Sequence, residues 1–382
     1  MSKTTLAIAA TAALGLLTGC AAQVEPEYAP KALQDTADTT TAKVLWEEQV
    51  GDGLGQGGYP LAPAQDSDTL FAADHEGLVE AIDADSGEPR WQIELDAAAS
   101  SALTAVAGRV YLGTRNGEVV ALDQSNGEVL WHTRVSSEVL AAPQPNSSLL
   151  VVQAIDGSVT ALDRDTGAER WVYSGNRPTL TLRSTGTPRV IDQVTFAGLA
   201  NGRLVTIDNR SGQALWERRI AVPQGRSEIE RLVDLAGQPL LTQDGRLFVT
   251  SYNGRLAALQ ATSGEILWSR DISSYRSPML VGDYLFVVDE ASHVIALNAG
   301  NGETLWQLDD LEGRELTAPT FADGRLAVGD FEGYLHLIDA REGTLVGRTE
   351  ADDAISVAPL TDGKRVYTLA DDGSLEALEL QP

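Results

Sequence analysis

The segment NGEVVALDQSNGEVLW, residues 116–131, decides the fold. Asn116-Gly117 reads as a tight hairpin turn. Val119 and Ala121 alternate with Val120 and Leu122, the pattern of a buried strand. Asp123 followed by Asn126-Gly127 makes a second turn, and a strand carrying Trp131 follows it. Upstream, Arg109-Val110-Tyr111-Leu112-Gly113 reads as another strand. Before it comes a fourth, expected to end near an Ala-Pro pair such as Ala142-Pro143, Ala318-Pro319 or Ala358-Pro359.

This unit recurs along the chain. Glu76-Gly77 leads to Asp83, Ser86-Gly87 and Trp91. Asp156-Gly157 leads to Asp163, Thr166-Gly167 and Trp171, and Asn201-Gly202 to Asp208, Ser211-Gly212 and Trp216. Asn253-Gly254 leads to Gln260, Ser263-Gly264 and Trp268, and Ser292 to Asn298, Asn301-Gly302 and Trp306. In the seventh copy, Glu332-Gly333 leads to Asp339 and Glu342-Gly343, with Gly347 where Trp is expected. The eighth, from Asp372-Gly373 to Glu379, stops before its Trp strand.

Four strands in about 40 residues are the signature of a propeller blade. The missing last strand of the eighth copy stands at the other end of the chain, as Val44-Leu45-Trp46-Glu47-Glu48. The expected fold is therefore all-β: an eight-bladed β-propeller of four-stranded antiparallel blades, closed by pairing the N-terminal strand with the C-terminal blade. Closure of this kind removes the open sheet edge. Trp46, Trp91, Trp131, Trp171, Trp216, Trp268 and Trp306 are expected to pack between neighbouring blades.

The repeat is not quite even. Successive repeat glycines, with Ser292 standing in for the sixth, are 40, 40, 45, 52, 38, 41 and 40 residues apart. Both excesses fall between a Trp strand and the next innermost strand, around residues 174–186 and 219–239. Up-down strand order puts these connections on one face of the ring, beside each other. Insertions on one face of a repeat scaffold often build its binding surface. The first holds Leu180, Leu182 and Arg183, and the second holds Arg231 and Asp234. Leucines with Arg are plausible interface anchors.

Residues 1–19 read as a signal peptide. A basic start at Lys3 precedes an apolar run from Leu6 to Leu17, too short to span a bilayer as a helix. Leu17-Thr18-Gly19-Cys20 resembles a lipoprotein cleavage box, which implies lipidation at Cys20. Stable anchoring takes more than one acyl chain. Ala21-Ala22 carries no acidic retention signal, so the outer membrane is the expected destination. Residues 20–42, Pro-rich and then polar, read as a lipidated flexible tether, and residues 43–382 as the propeller. Cys20 is the sole cysteine, so the ring holds together without disulfides.

The chain has 28 basic and 55 acidic residues. One Lys and no acid fall within the first nineteen, so the remainder carries −28. Such a charge argues against nucleic acid and anionic lipid surfaces as partners. The histidines His75, His132, His293 and His336 scatter over four repeats without metal spacing. No phosphate loop or nucleophile elbow stands out. Asp83-Ala84-Asp85-Ser86-Gly87 reads as a turn rather than a calcium loop. No catalytic, metal or cofactor site is expected.

Two resemblances remain. The repeat exemplified by Ala161, Asp163, Thr166-Gly167 and Trp171 is similar to that of quinoprotein alcohol dehydrogenases. It is a packing device, and the vicinal cysteine pair of those enzymes is missing here. The cleavage box, acidic tether and eight Trp-type blades together resemble the BamB family of outer-membrane protein assembly lipoproteins. The most specific stretches are residues 180–183, 227–234 and 328–336. The resemblance implies a non-enzymatic subunit of the machine that folds β-barrels into the outer membrane, docked on periplasmic POTRA domains of BamA. It maps docking onto Leu180, Leu182, Arg183 and Asp234, within the two insertions. The family's second acid, two residues beyond Asp234, is replaced by Ala236. Exposed blade edges are a second expected contact, holding unfolded barrel strands by β-augmentation.

Overall fold

The computed structural model describes residues 28–36, 39–56, 58–175, 181–182, 186–228 and 230–381. They form eight four-stranded antiparallel sheets. Blades 1 to 7 cover residues 64–94, 104–134, 144–174, 189–219, 240–270, 279–308 and 320–350, each running in sequence order from inner to outer strand. Blade 8 takes three strands from residues 360–381 and its outer strand from Thr41–Gln49. Thr41 pairs with Gln381 and Gln49 with Ser374, so the chain ends close the ring. The eight-bladed, N-to-C closed propeller expected from the repeat is the fold observed. Its outer strand begins two residues before position 43, within normal boundary scatter.

The repeat residues hold the blades together as their chemistry requires. Asp83 Oδ1 accepts the backbone N–H groups of Asp85 and Ser86, at 3.0 and 2.9 Å, closing the turn before the outer strand. Asp163 does the same for Asp165 and Thr166. Each of the seven Trp residues donates its indole N–H to a backbone carbonyl of the next blade, at 2.8–3.2 Å. Each ring also lies against the next blade's turn glycine. A Cβ on Gly212 would come within 2.7 Å of Trp171, and φ there is +70°, so only glycine fits.

Gly347 stands where an eighth Trp would be, for a topological reason. Its neighbour, blade 8, has a chain break in place of the turn before the outer strand, and so offers no turn glycine. The backbone of Thr40 occupies the space instead: its N–H donates to Val346 O at 2.8 Å, and a Cβ on Gly347 would collide with Thr40 O.

Two expectations are corrected. The Ala-Pro pairs precede the inner strands rather than end them, as Pro143 before Gln144–Pro145 and Pro359 before Leu360–Thr361. Proline lacks the N–H that a ladder uses, so it sits naturally at a strand's start. The 20–42 tether is free at most in part. Residues 28–36 lie along blades 6 and 7, with Leu33 packed against the apolar core between them. Cys20 and the signal peptide fall outside the described residues.

Candidate docking face

Inner-to-outer strand order places two sets of connections on one face of the ring. These are the central hairpin turns of each blade and the links from one blade's outer strand to the next blade's inner strand. Both long insertions are such links. Residues 175–188 lead into blade 4 and residues 220–239 lead out of it, so the two flank one blade on this loop face.

They are joined to each other. Gln238 donates from Nε2 to Gln144 Oε1 at 3.0 Å and to Pro188 O at 3.2 Å. The carbonyl of Leu235 lies so close to Gly186 and Gly198 that a side chain at either would collide with it. The second insertion is therefore wedged into the ring over residues 233–237.

The sequence-derived site residues separate. Leu180 and Arg183 lie outside the described residues. Leu182 is half-buried and lines a cavity of about 710 Å³ on the ring axis. Ala236, at the position of the missing second acid, lines the same cavity. Arg231 is exposed, pairs with Glu228 at 3.2 Å, and borders a separate cleft of about 630 Å³ with Arg203, Glu217 and Arg219.

Asp234 is the departure. It was expected among the docking residues, yet the residue is only 2% exposed. Its carbonyl accepts Tyr252 N–H at 2.8 Å, its neighbours Val233 and Leu235 are buried, and its Oδ2 has no hydrogen-bond partner among the described residues. Three consecutive buried residues leave Asp234 no outward side. Loss of water pushes its carboxyl up to about 7, opposed only by the Leu235 N–H.

The sign of the consequence is definite. Folded Asp234 keeps its proton to about pH 7, whereas the unfolded chain loses it near pH 4. The folded state thus binds the extra proton between these values. The stability this supplies is complete below about pH 4 and lost as pH rises through about 7, on the order of 2–4 kcal/mol. In urea titrations, Asp234→Asn is expected to gain stability over the unmodified chain as pH rises from 4.5 to 8. A difference that does not change with pH would show that the carboxyl is solvated.

Several residues of this face were not anticipated. Tyr252 and Tyr275 meet edge-on, with ring centroids 6.3 Å apart, at the rim of the axial cavity. The Arg276 guanidinium stacks 4.5 Å above Tyr275, and that of Arg115 lies 4.1 Å above Tyr59. The available signal was Tyr275-Arg276 immediately before Ser277-Pro278, blade 6's counterpart of the Ala-Pro pairs, where blade 3 has Leu140-Ala141 and blade 7 has Leu316-Thr317. Beside them, Arg314, 2% exposed, is held by Asp330 at 2.7 Å and by Glu332, and Asp330 also binds His336 Nε2 at 2.7 Å. Among the described residues no group of three His, Cys, Asp or Glu side chains forms a metal site.

Comparison with known proteins assigns this ring. The family model described as outer membrane protein assembly factor BamB matches residues 35–116, 75–308 and 290–381. The outer membrane protein assembly factor BamB of Pseudomonas aeruginosa is 44% identical over 375 residues, 98% of each chain. The crystal structure of BamB from Moraxella catarrhalis superposes with a TM-score of 0.81 at 25% identity, covering 89% of this chain and all of that one. A europium-containing methanol dehydrogenase reaches a TM-score of 0.71 at 13% identity, covering 91% of this chain and 86% of that one, which is likeness of fold alone. With eight blades locked at seven of their junctions by Trp, two insertions flanking blade 4 and a family match across nearly the whole ring, the chain belongs to the BamB family of outer membrane protein assembly factors.

Proposed function

We propose that the protein is a non-enzymatic scaffold of the outer-membrane β-barrel assembly complex. Acyl chains on Cys20 hold it at the periplasmic face of the outer membrane. Its loop face docks on the periplasmic POTRA domains of BamA and so aids assembly and insertion of outer-membrane proteins. The observation that carries this reading is the convergence of both insertions on the two sides of blade 4, joined by Gln238. The names of its relatives support the assembly role.

In this reading Leu180 and Leu182 bury against a POTRA element while Arg183 and Arg231 steer and orient the encounter. Asp234 contributes differently from a surface acid. Buried within the second insertion, it ties the loop to blade 5 through its backbone carbonyl, which accepts the Tyr252 N–H. The free edges of the outer strands, where Leu215 is 57% exposed, offer β-augmentation to unfolded barrel strands.

The test is titration of the soluble chain, residues 21–382, with the isolated POTRA region of the same organism. Micromolar or tighter binding is expected. Arg183→Glu combined with Arg231→Glu is expected to weaken it by about tenfold or more, with circular dichroism unchanged. No binding by the folded unmodified chain would return the protein to a generic lipoprotein propeller, such as an adhesin or wall-binding module.

A further inference from the structure

Residues 28–36 are built onto the ring. Lys31 donates its backbone N–H to Glu312 O and its ammonium to Asp309 O, both at 2.9 Å, and pairs with the Glu312 carboxylate at 2.8 Å. Arg348 donates to Gln34 O at 3.2 Å, and the buried Arg314 reaches Lys31 O at 3.4 Å. Gly313, at φ +75°, clears a seat for the backbone of Ala29: a Cβ there would lie 2.7 Å from it.

The direction of this strap matters. Thr40 lies beside the outer strand of blade 7, and residues 28–36 lie along the groove between blades 6 and 7. The first described residue, Tyr28, donates its hydroxyl to Glu290 Oε1 at 3.3 Å. Glu290 lies in the central hairpin turn of blade 6, on the loop face. Tyr28 and Pro30 share a cleft with Tyr252 and Tyr275, which also rim the axial cavity. The chain toward Cys20 therefore leaves from the face that carries both insertions.

We infer that the strap makes the loop face the membrane-proximal face of the propeller, the partner being the lipid surface that holds Cys20. Eight residue steps lead from Cys20 to Tyr28, a reach of at most about 26–29 Å when fully extended. The blade strands span about 17–20 Å between the two faces. Turning the opposite face to the bilayer would use most of the tether in rounding the ring, leaving about 10 Å. A partner docking on the insertions consequently meets the propeller on its membrane side.

This rests on the anchoring at Cys20 proposed above, so the test supplies the anchor chemically. The chain from Cys20 onward is coupled through this sole thiol to a maleimide lipid in neutral vesicles containing an acceptor dye. A genetically incorporated fluorescent residue replaces Asp352, on the loop face of the blade 7–8 link, or Lys364, in the opposite-face turn of blade 8. Energy transfer to the acceptor is expected to be at least about twofold stronger from position 352, given the separation of the faces. The triple strap variant Tyr28→Ala, Lys31→Ala, Leu33→Ser, which leaves the ring strands intact, is expected to bring the two signals together. Equal transfer from both positions in the unmodified strap, or a difference that survives the variant, would overturn the inference. Acyl chains on the protein isolated from membranes are checked separately by mass spectrometry, and their absence would count against the anchor and not against the strap.

Discussion

Deleting residues 374–382 is expected to abolish cooperative folding of the whole ring, not merely to fray blade 8. The deletion removes the strand to which Thr41–Gln49 is bonded along its length. It also removes Leu375, Ala377 and Leu378, all fully buried, and Leu380, which is 7% exposed. Each large apolar side chain contributes about 1.5–3 kcal/mol through burial, and the strand ladder and ring closure are lost with them. The total rivals the 5–15 kcal/mol that typically separates a folded domain from its unfolded chain. Thermal melts by circular dichroism are expected to lose their sharp transition, and the protein to elute as aggregate. A circular permutant tests closure itself. Thr41 pairs directly with Gln381, so a short turn can join them and the chain can be reopened at an exposed turn such as that before Lys364. This permutant is expected to melt cooperatively. A truncated chain that melts like the intact one would show that closure is not what holds the ring.

The second large effect concerns the indoles between blades. Trp171 is 8% exposed, and its N–H donates to Asn209 O at 2.8 Å. Asn209 is itself buried, held through its side chain by Thr195 at 2.7 Å and Ile191 O at 2.7 Å. Trp171→Ala leaves a cavity between blades 3 and 4 and an unpaired buried carbonyl. The expected cost is about 3–5 kcal/mol, read from the urea midpoint. Trp171→Phe keeps most of the packing and loses only the N–H, for about 1–2 kcal/mol. Gly212→Val attacks the same contact from the other blade. Combined with Trp171→Ala it is expected to cost less than the sum of the two, because the cavity relieves the clash. Strict additivity would mean that the two residues do not share one contact.

The legibility of these features follows from where their chemistry is written. Asp, Ser/Thr-Gly and Trp recur because each blade solves the same packing problem, so seven copies reported one geometry. Even Gly347 was visible as an exception, although its cause was not. The missing turn of blade 8 appears only once Thr40 is seen in the space. The insertions were legible as excess length, a signal that needs no knowledge of side-chain direction. What lies within them was not. Val233, Asp234 and Leu235 are all buried because the segment is wedged between blades, where neither strand nor helix periodicity applies. The strap was hidden for a different reason. Residues 28–36 have the composition of a linker, and their partners Glu290, Glu312 and Arg348 are more than 260 residues away in sequence.

The measurement that bears most directly on the docking account is hydrogen–deuterium exchange of the soluble chain with and without the POTRA region. Protection is expected at residues 176–187 and 220–239 and at the Tyr252 and Tyr275 rim, with the opposite-face turns at Ser125 and Lys364 unchanged. Protection confined to the opposite face, or to the outer strands away from blade 4, would contradict it.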